Sequence, residues 1–212
     1  MNDSKLLDKD ALIRKAKWIL TDPSGYFRSM PQSGGFLEPL VFVAVMAFIL
    51  GVITAIWSLF VSTPAGVASG FLGVIIFTPV AGVLGAFVGA AILFLIWKLM
   101  GSSRNYETAL RCQSSVAAIY PIVGILAVVP YVGSIIAIAW GAYLMIEASV
   151  HVHDRSRGVA TTVFGILAVL MILSNTAGER ASRQMAEQLD NRASPFDDRQ
   201  TLYPGDAESK NG

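Results

Sequence analysis

Three long runs of this chain carry no charged residue: Pro39 to Trp97, Cys112 to Ile146 and Gly158 to Gly178. Polar and charged positions collect between and outside them. An uncharged apolar run of about 18 residues or more is the pattern of a helix that crosses a bilayer. None of the runs shows the polar stripe that a helix on a soluble core requires. They divide into five predicted spans, at about 40–60, 67–100, 108–128, 131–148 and 158–173, the last of which just crosses when taken as 159–176. The fold class expected is all-α: a polytopic membrane protein with a five-helix transmembrane bundle, 39–176. An amphipathic N-terminal arm, 1–38, precedes it, and a polar, partly disordered C-terminal tail, 177–212, follows.

Within the arm, Leu12, Ile13, Ala16, Ile19 and Leu20 recur as one face of a helix, with Arg14, Lys15 and Lys17 off that face. Asp8 or Asp10 is placed to cap its start, and Pro23 with Gly25 to end it. Pro31 to Gly35 reads as a loop, and Ser62 to Gly66 as a short uncharged turn. The second span exceeds the roughly 20 residues a bilayer needs, so it should tilt or project. Pro79 is expected to kink it, and Trp97 with Lys98 to anchor its end at the interface. Ala81, Gly85 and Gly89 share one face of that helix and form a candidate packing face, within one chain or in a homodimer. Pro121 lies inside the third span, and Pro130 with Gly133 forms the turn before the fourth. A separate short helix is expected over 179–190.

Charge settles the expected topology. The arm holds six Lys and Arg, and the connections after spans two and four hold Lys98, Arg104, Arg111, Arg155 and Arg157, whereas the turns after spans one and three hold none. By the positive-inside rule the N-terminus and the basic loops should be cytoplasmic and the C-terminus on the opposite side, in an integral membrane protein of the inner membrane. Composition agrees: 15% of residues are charged, against about 25% in a typical soluble domain. A net charge of +1 gives no global attraction to nucleic acid. One cysteine, Cys112, forms no internal disulfide, and no cleavable signal segment is visible.

Candidate chemistry is sparse. Glu147 and His151 share a helical face, with His153 and Asp154 close by. Imidazole and carboxylate suit zinc, but the spacing matches no zinc signature. The expectation is no metal, no cofactor and no catalysis. The loop reads instead as hydrated, with His151, His153, Arg155 and Arg157, joined by Arg104 and Arg111, facing lipid headgroups or partner proteins. Ser114, Ser115 and Cys112 have no histidine near them in sequence. Arg111 and Glu147 lie near span ends, where they can snorkel.

Three stretches resemble the Yip1-domain family in its bacterial branch. They are Trp18-Ile-Leu-Thr-Asp-Pro-Ser-Gly-Tyr-Phe-Arg-Ser-Met30, then Tyr106 through Tyr120-Pro121, then Pro130-Tyr-Val-Gly133 with Trp140 and His153-Asp-Arg-Ser-Arg-Gly-Val-Ala160. The resemblance implies a five-span fold with a cytoplasmic N-terminus and an activity outside catalysis. Its eukaryotic members are associated with trafficking membranes and prenylated small GTPases. The function expected is a membrane-organising or adaptor protein that binds partner proteins or anionic lipids at its cytoplasmic face. The alternative is a small-molecule transporter or lipid translocator using the proline-bearing second and third spans.

Overall fold

The computed structural model describes residues 8–61, 64–129 and 131–193. Pro130, the turn residues Ser62 and Thr63, and the tail from 194 lie outside the described residues. The chain forms two compact units, Met1–Ile172 and Leu173–Gly212. The described residues are helical and contain no strand: α1 (Lys9–Thr21), α2 (Pro23–Ser29), α3 (Leu37–Val61), α4 (Pro64–Leu99), α5 (Tyr106–Ser115), α6 (Tyr120–Leu126), α7 (Val132–His151) and α8 (Arg157–Ala193). Five stretches among them are long and apolar enough to cross a membrane: Leu37–Phe60, Phe71–Leu99, Tyr106–Leu126, Val132–His151 and Arg157–Ser182.

Asp8 caps α1, its carboxylate accepting from the Asp10 N–H at 3.0 Å. Pro23 does not simply end that helix. It opens α2, because its fixed φ and missing N–H suit a first helical turn. Asp22 serves both helices: its N–H donates to Trp18 O, and its carboxylate accepts from Gly25 N at 2.9 Å. The inward face of α1 also differs from the sequence reading. Ile13 is 63% exposed, whereas Lys15 turns toward the bundle, because Glu38 at the start of α3 supplies its counter-charge.

The third span is not one α-helix. Between α5 and α6, residues Val116–Ile119 tighten into a 3-10 turn. The hydroxyls of Ser114 and Ser115 donate back to the carbonyls of Arg111 and Cys112 at 2.8 and 2.6 Å, and Pro121 then falls in the first turn of α6. The break therefore precedes the proline, which has no helical N–H to give. Around Pro79, by contrast, α4 is continuous, and the Thr78 hydroxyl bonds the Val74 carbonyl at 2.6 Å.

Helices α3 and α4 pack through glycine and alanine, but not through the stripe singled out in the sequence. A Cβ at Gly82 would sit 2.8 Å from the Ala47 methyl, and Ala86 and Ala90 are buried on the same face. Ala81 and Gly85 face outward, and Gly89 is covered by the Gln113 side chain. At Gly133, where α7 meets α6, a Cβ would lie 3.4 Å from Val123 O, an ordinary van der Waals distance, so the contact does not demand glycine.

No break separates the fifth span from the expected helix at 179–190. α8 runs through Gly178, because one glycine in a helix interior costs only about 1 kcal/mol against alanine and its neighbours form helix readily. In the second unit the Ser182 hydroxyl bonds the Gly178 carbonyl at 2.9 Å.

Candidate functional site at the arm end of the bundle

The polar side chains of the bundle gather where the arm meets α3, α5 and α7. Four groups of contacts organise them.

Glu147, in the last turns of α7, is 1% exposed. Its carboxylate accepts from both terminal nitrogens of Arg157, at 2.5 and 3.1 Å, and from the Ser24 hydroxyl at 2.7 Å. His151 Nε2 lies 3.2 Å from the same carboxylate. The angle is not that of a hydrogen bond, and this nitrogen has no hydrogen-bond partner among the described residues. Arg28 Nε donates to His151 Nδ1 at 3.5 Å. One buried carboxylate thus joins α2 of the arm to α7 and to the first residue of α8.

The second group surrounds Trp97. Its indole is 1% exposed and stacks on His153, with ring centroids 3.8 Å apart and planes 16° from parallel. The indole N–H donates to Ser149 Oγ at 2.8 Å. His153 Nδ1 meets the Ser102 hydroxyl at 2.8 Å, and its Nε2 is 4.0 Å from the Cys112 sulfur. Two sequence expectations change here. Trp97 is not an interfacial anchor, and His153 does not face headgroups, because each ring covers the other inside the bundle. Cys112 does have a histidine beside it, but both side chains are buried.

Burial draws the His153 imidazole down to about 4 from its ordinary 6.5, reinforced by the positive charges of Arg104, Arg155 and Lys98 and opposed by Asp154. Between those two values the unfolded chain holds more protons than the folded one, so stability rises with pH across that window. Acidification from pH 7 to pH 4 should remove up to about 3 kcal/mol through this one group. Unfolding midpoints against pH, for the wild type and for His153→Phe, which keeps a ring on Trp97, check this. Equal pH slopes in the two proteins would refute it.

The third group stitches two loops together. Arg104 Nε donates to Val152 O at 2.9 Å and its Nη2 to Asp154 at 3.2 Å. Arg155 donates to Met100 O at 3.0 Å and to its neighbour carbonyl His153 O at 2.9 Å. Asp154 adopts a left-handed φ of 55° at the corner. These arginines close backbone carbonyls that helix ends leave open.

The fourth group centres on Arg111, which is 5% exposed and does not snorkel. It donates to Glu38 at 3.2 Å, to Glu107 at 3.4 Å and to Gly35 O at 2.8 Å. Gly34 and Gly35 take φ of 128° and 87°, conformations that favour glycine, and the Gly35 N–H donates to Glu107 at 2.7 Å. Lys15 pairs with Glu38 and lies 4.5 Å over the Phe42 ring. Burial holds the Lys15 ammonium below its ordinary value, partly offset by Glu38.

Two cavities accompany these groups. One, of about 640 Å³, lies between α1 and the bundle and is lined by Arg14, Lys15, Trp18, Tyr26, Glu38 and Arg111 among others. The other, of about 400 Å³, is apolar and lies between α4, α5, α7 and α8, with Gln113 as its polar side chain. Neither Pro79 nor Pro121 lines either one. Among the described residues no three His, Cys, Asp or Glu side chains converge as a metal site. Of the six basic-loop candidates, Arg111 alone lines the cleft below α1. Arg104, Arg155 and Arg157 are engaged in tying loops and helix ends. Arg14 and Lys15 stand off the apolar face of the arm helix in the sequence, as basic side chains for anionic headgroups, but helical periodicity alone did not show that they face a cleft shared with the bundle; Tyr26 was missed as a site residue.

Five apolar helices of spanning length, with ionisable groups confined to their ends and to the arm, define a polytopic integral membrane protein. A Yip1-domain family model matches residues 17–177, and the chain belongs to that family. No curated protein and no solved structure gives a significant match.

Proposed function

We propose that this Yip1-domain protein is a non-enzymatic membrane-organising or adaptor protein that binds anionic lipids or protein partners through its arm-side face, and that this face is cytoplasmic, a reading supported by the Lys and Arg of the arm and of the connections after spans two and four. The observation that carries this reading is the outer surface of α1. Ile13 and Trp18 are 63% and 44% exposed, beside the exposed Arg14 and Lys17. Exposed apolar and basic side chains on one short helix suit a membrane interface with anionic headgroups. The helix is held there from its other side, by Lys15 on Glu38 and, through α2, by Ser24 on Glu147.

Gentle solubilisation followed by mass spectrometry tests the reading. A stoichiometric partner or an enriched anionic lipid should co-purify, and should be lost in Ile13→Asp/Lys17→Gln with thermal stability kept. Liposomes carrying the protein should show no solute or lipid flux. Flux with nothing co-purifying would overturn the adaptor reading.

A further inference from the structure

We propose that the cleft between α1 and the bundle is a binding site for the phosphate-bearing headgroup of an anionic phospholipid. This rests on the reading of the arm as a lipid-facing element and gives it a defined site and ligand class.

Charge is the first argument. Arg14, Lys15 and Arg111 line the cleft against one lining carboxylate, Glu38. Two of the three cations are fixed in place: the Arg111 and Lys15 side chains are 6% and 18% exposed. Donor capacity is the second. A guanidinium has five N–H groups, and Arg111 uses three, on Glu38, Glu107 and Gly35 O. An ammonium has three, and Lys15 uses one, on Glu38. Arg14 has only a 3.9 Å ion pair with Asp8 among the described residues, on a side chain 70% exposed. The phenol of Tyr26, 6% exposed, also lines the cleft and has no hydrogen-bond partner among the described residues. Phosphate oxygens would take up these donors as charge-assisted hydrogen bonds.

The walls select a lipid over a soluble phosphate. Trp18, Met30 and Ala11 give the cleft apolar surface beside its cations. It borders Glu38, in the first turn of the first spanning helix, where the chain enters the bilayer. A phospholipid there keeps its acyl chains among the spans while its phosphate meets the cations. Burial that disfavours the Lys15 ammonium adds to the attraction, since an anion beside it restores part of the lost solvation.

The test uses the full chain in phosphatidylcholine nanodiscs doped with phosphatidylglycerol, read by native mass spectrometry of lipid retained after ejection. The wild type should retain phosphatidylglycerol several-fold above its share of the bilayer. Arg14→Gln/Lys15→Gln should bring retention down to that share. So should Ala11→Trp, which fills the cleft and leaves every charge in place. Arg111 is left intact because it also holds the Gly35 loop. Retention unchanged in both variants, or no preference in the wild type, overturns the site. Preference that survives both variants but is lost in Lys9→Gln/Lys17→Gln places lipid on the outer face of α1, so the cleft falls and the arm reading stands. Loss in the cleft variants with no lipid or partner effect from Ile13→Asp/Lys17→Gln, neither of which lines the cleft, supports the cleft and sinks the outer-face reading. Displacement by millimolar inorganic phosphate or glycerol phosphate as readily as by lipid overturns the lipid assignment in favour of a soluble ligand.

Discussion

Alanine at Arg111 should destabilise the bundle by about 3–5 kcal/mol, the range for removing one partner of a buried ion pair. The guanidinium is 5% exposed and faces Glu107, Glu38 and the Gly35 carbonyl together. Its loss strands Glu107, whose side chain is 20% exposed, and unfastens the glycine loop that leads into α3. Glu38, 39% exposed and still paired with Lys15, suffers less. Lysine at 111 should recover only a minor part, because a single ammonium cannot present the fork that meets three acceptors. Combining Arg111→Met with Glu107→Gln should recover more, since the stranded carboxylate is then gone. Detergent-denaturation midpoints for the four proteins measure this. An Arg111→Ala variant within about 1 kcal/mol of wild type would mean that the carboxylates find water instead, contrary to the burial they show.

What the sequence made legible follows from the demands of lipid. A backbone in hydrocarbon must satisfy its own polar groups, so charge-free runs of sufficient length have one regular solution, a helix. Hence the five spans stand close to where the runs at 39–97, 112–146 and 158–178 put them. Local capping chemistry was readable for the same reason of short range: Asp8 and its own helix settle that end of α1. Long-range choices were not readable. Whether Trp97 meets lipid or bundle depends on Ser149 and His153, about fifty residues away. Whether Lys15 meets solvent or bundle depends on Glu38 in another helix. The α5–α6 break was half readable, because Pro121 announced a disturbance. The two serines before it, whose hydroxyls tighten the turn, determine where it falls. Glu147 shows the same limit. Its position near a span end suggested a solvated carboxylate, and its partners Ser24 and Arg157 come from the arm and from α8.

Trp97→Ala is the second large effect, also about 3–5 kcal/mol, as for truncating a fully buried aromatic. The indole fills the space between Ser149, His153 and Phe164, whose ring centroid is 6.1 Å away. Phenylalanine should cost much less, because it retains most of the packed area and the stack and gives up the bond to Ser149 Oγ. That hydroxyl is still satisfied by donating to Met145 O at 2.6 Å, so no buried donor is stranded. A second readout separates this account from a general loss of packing. His153 is held neutral by the burial that Trp97 supplies from one side. Opening that side lets water reach the imidazole, so its pKa should climb back toward the ordinary histidine value in Trp97→Ala and stay depressed in Trp97→Phe. The stability lost on acidification from pH 7 to pH 4 should shrink accordingly in the alanine variant alone, because the folded state then takes up its proton nearly as readily as the unfolded one. Identical pH slopes in the alanine and phenylalanine variants would show that the stacked ring does not control the histidine.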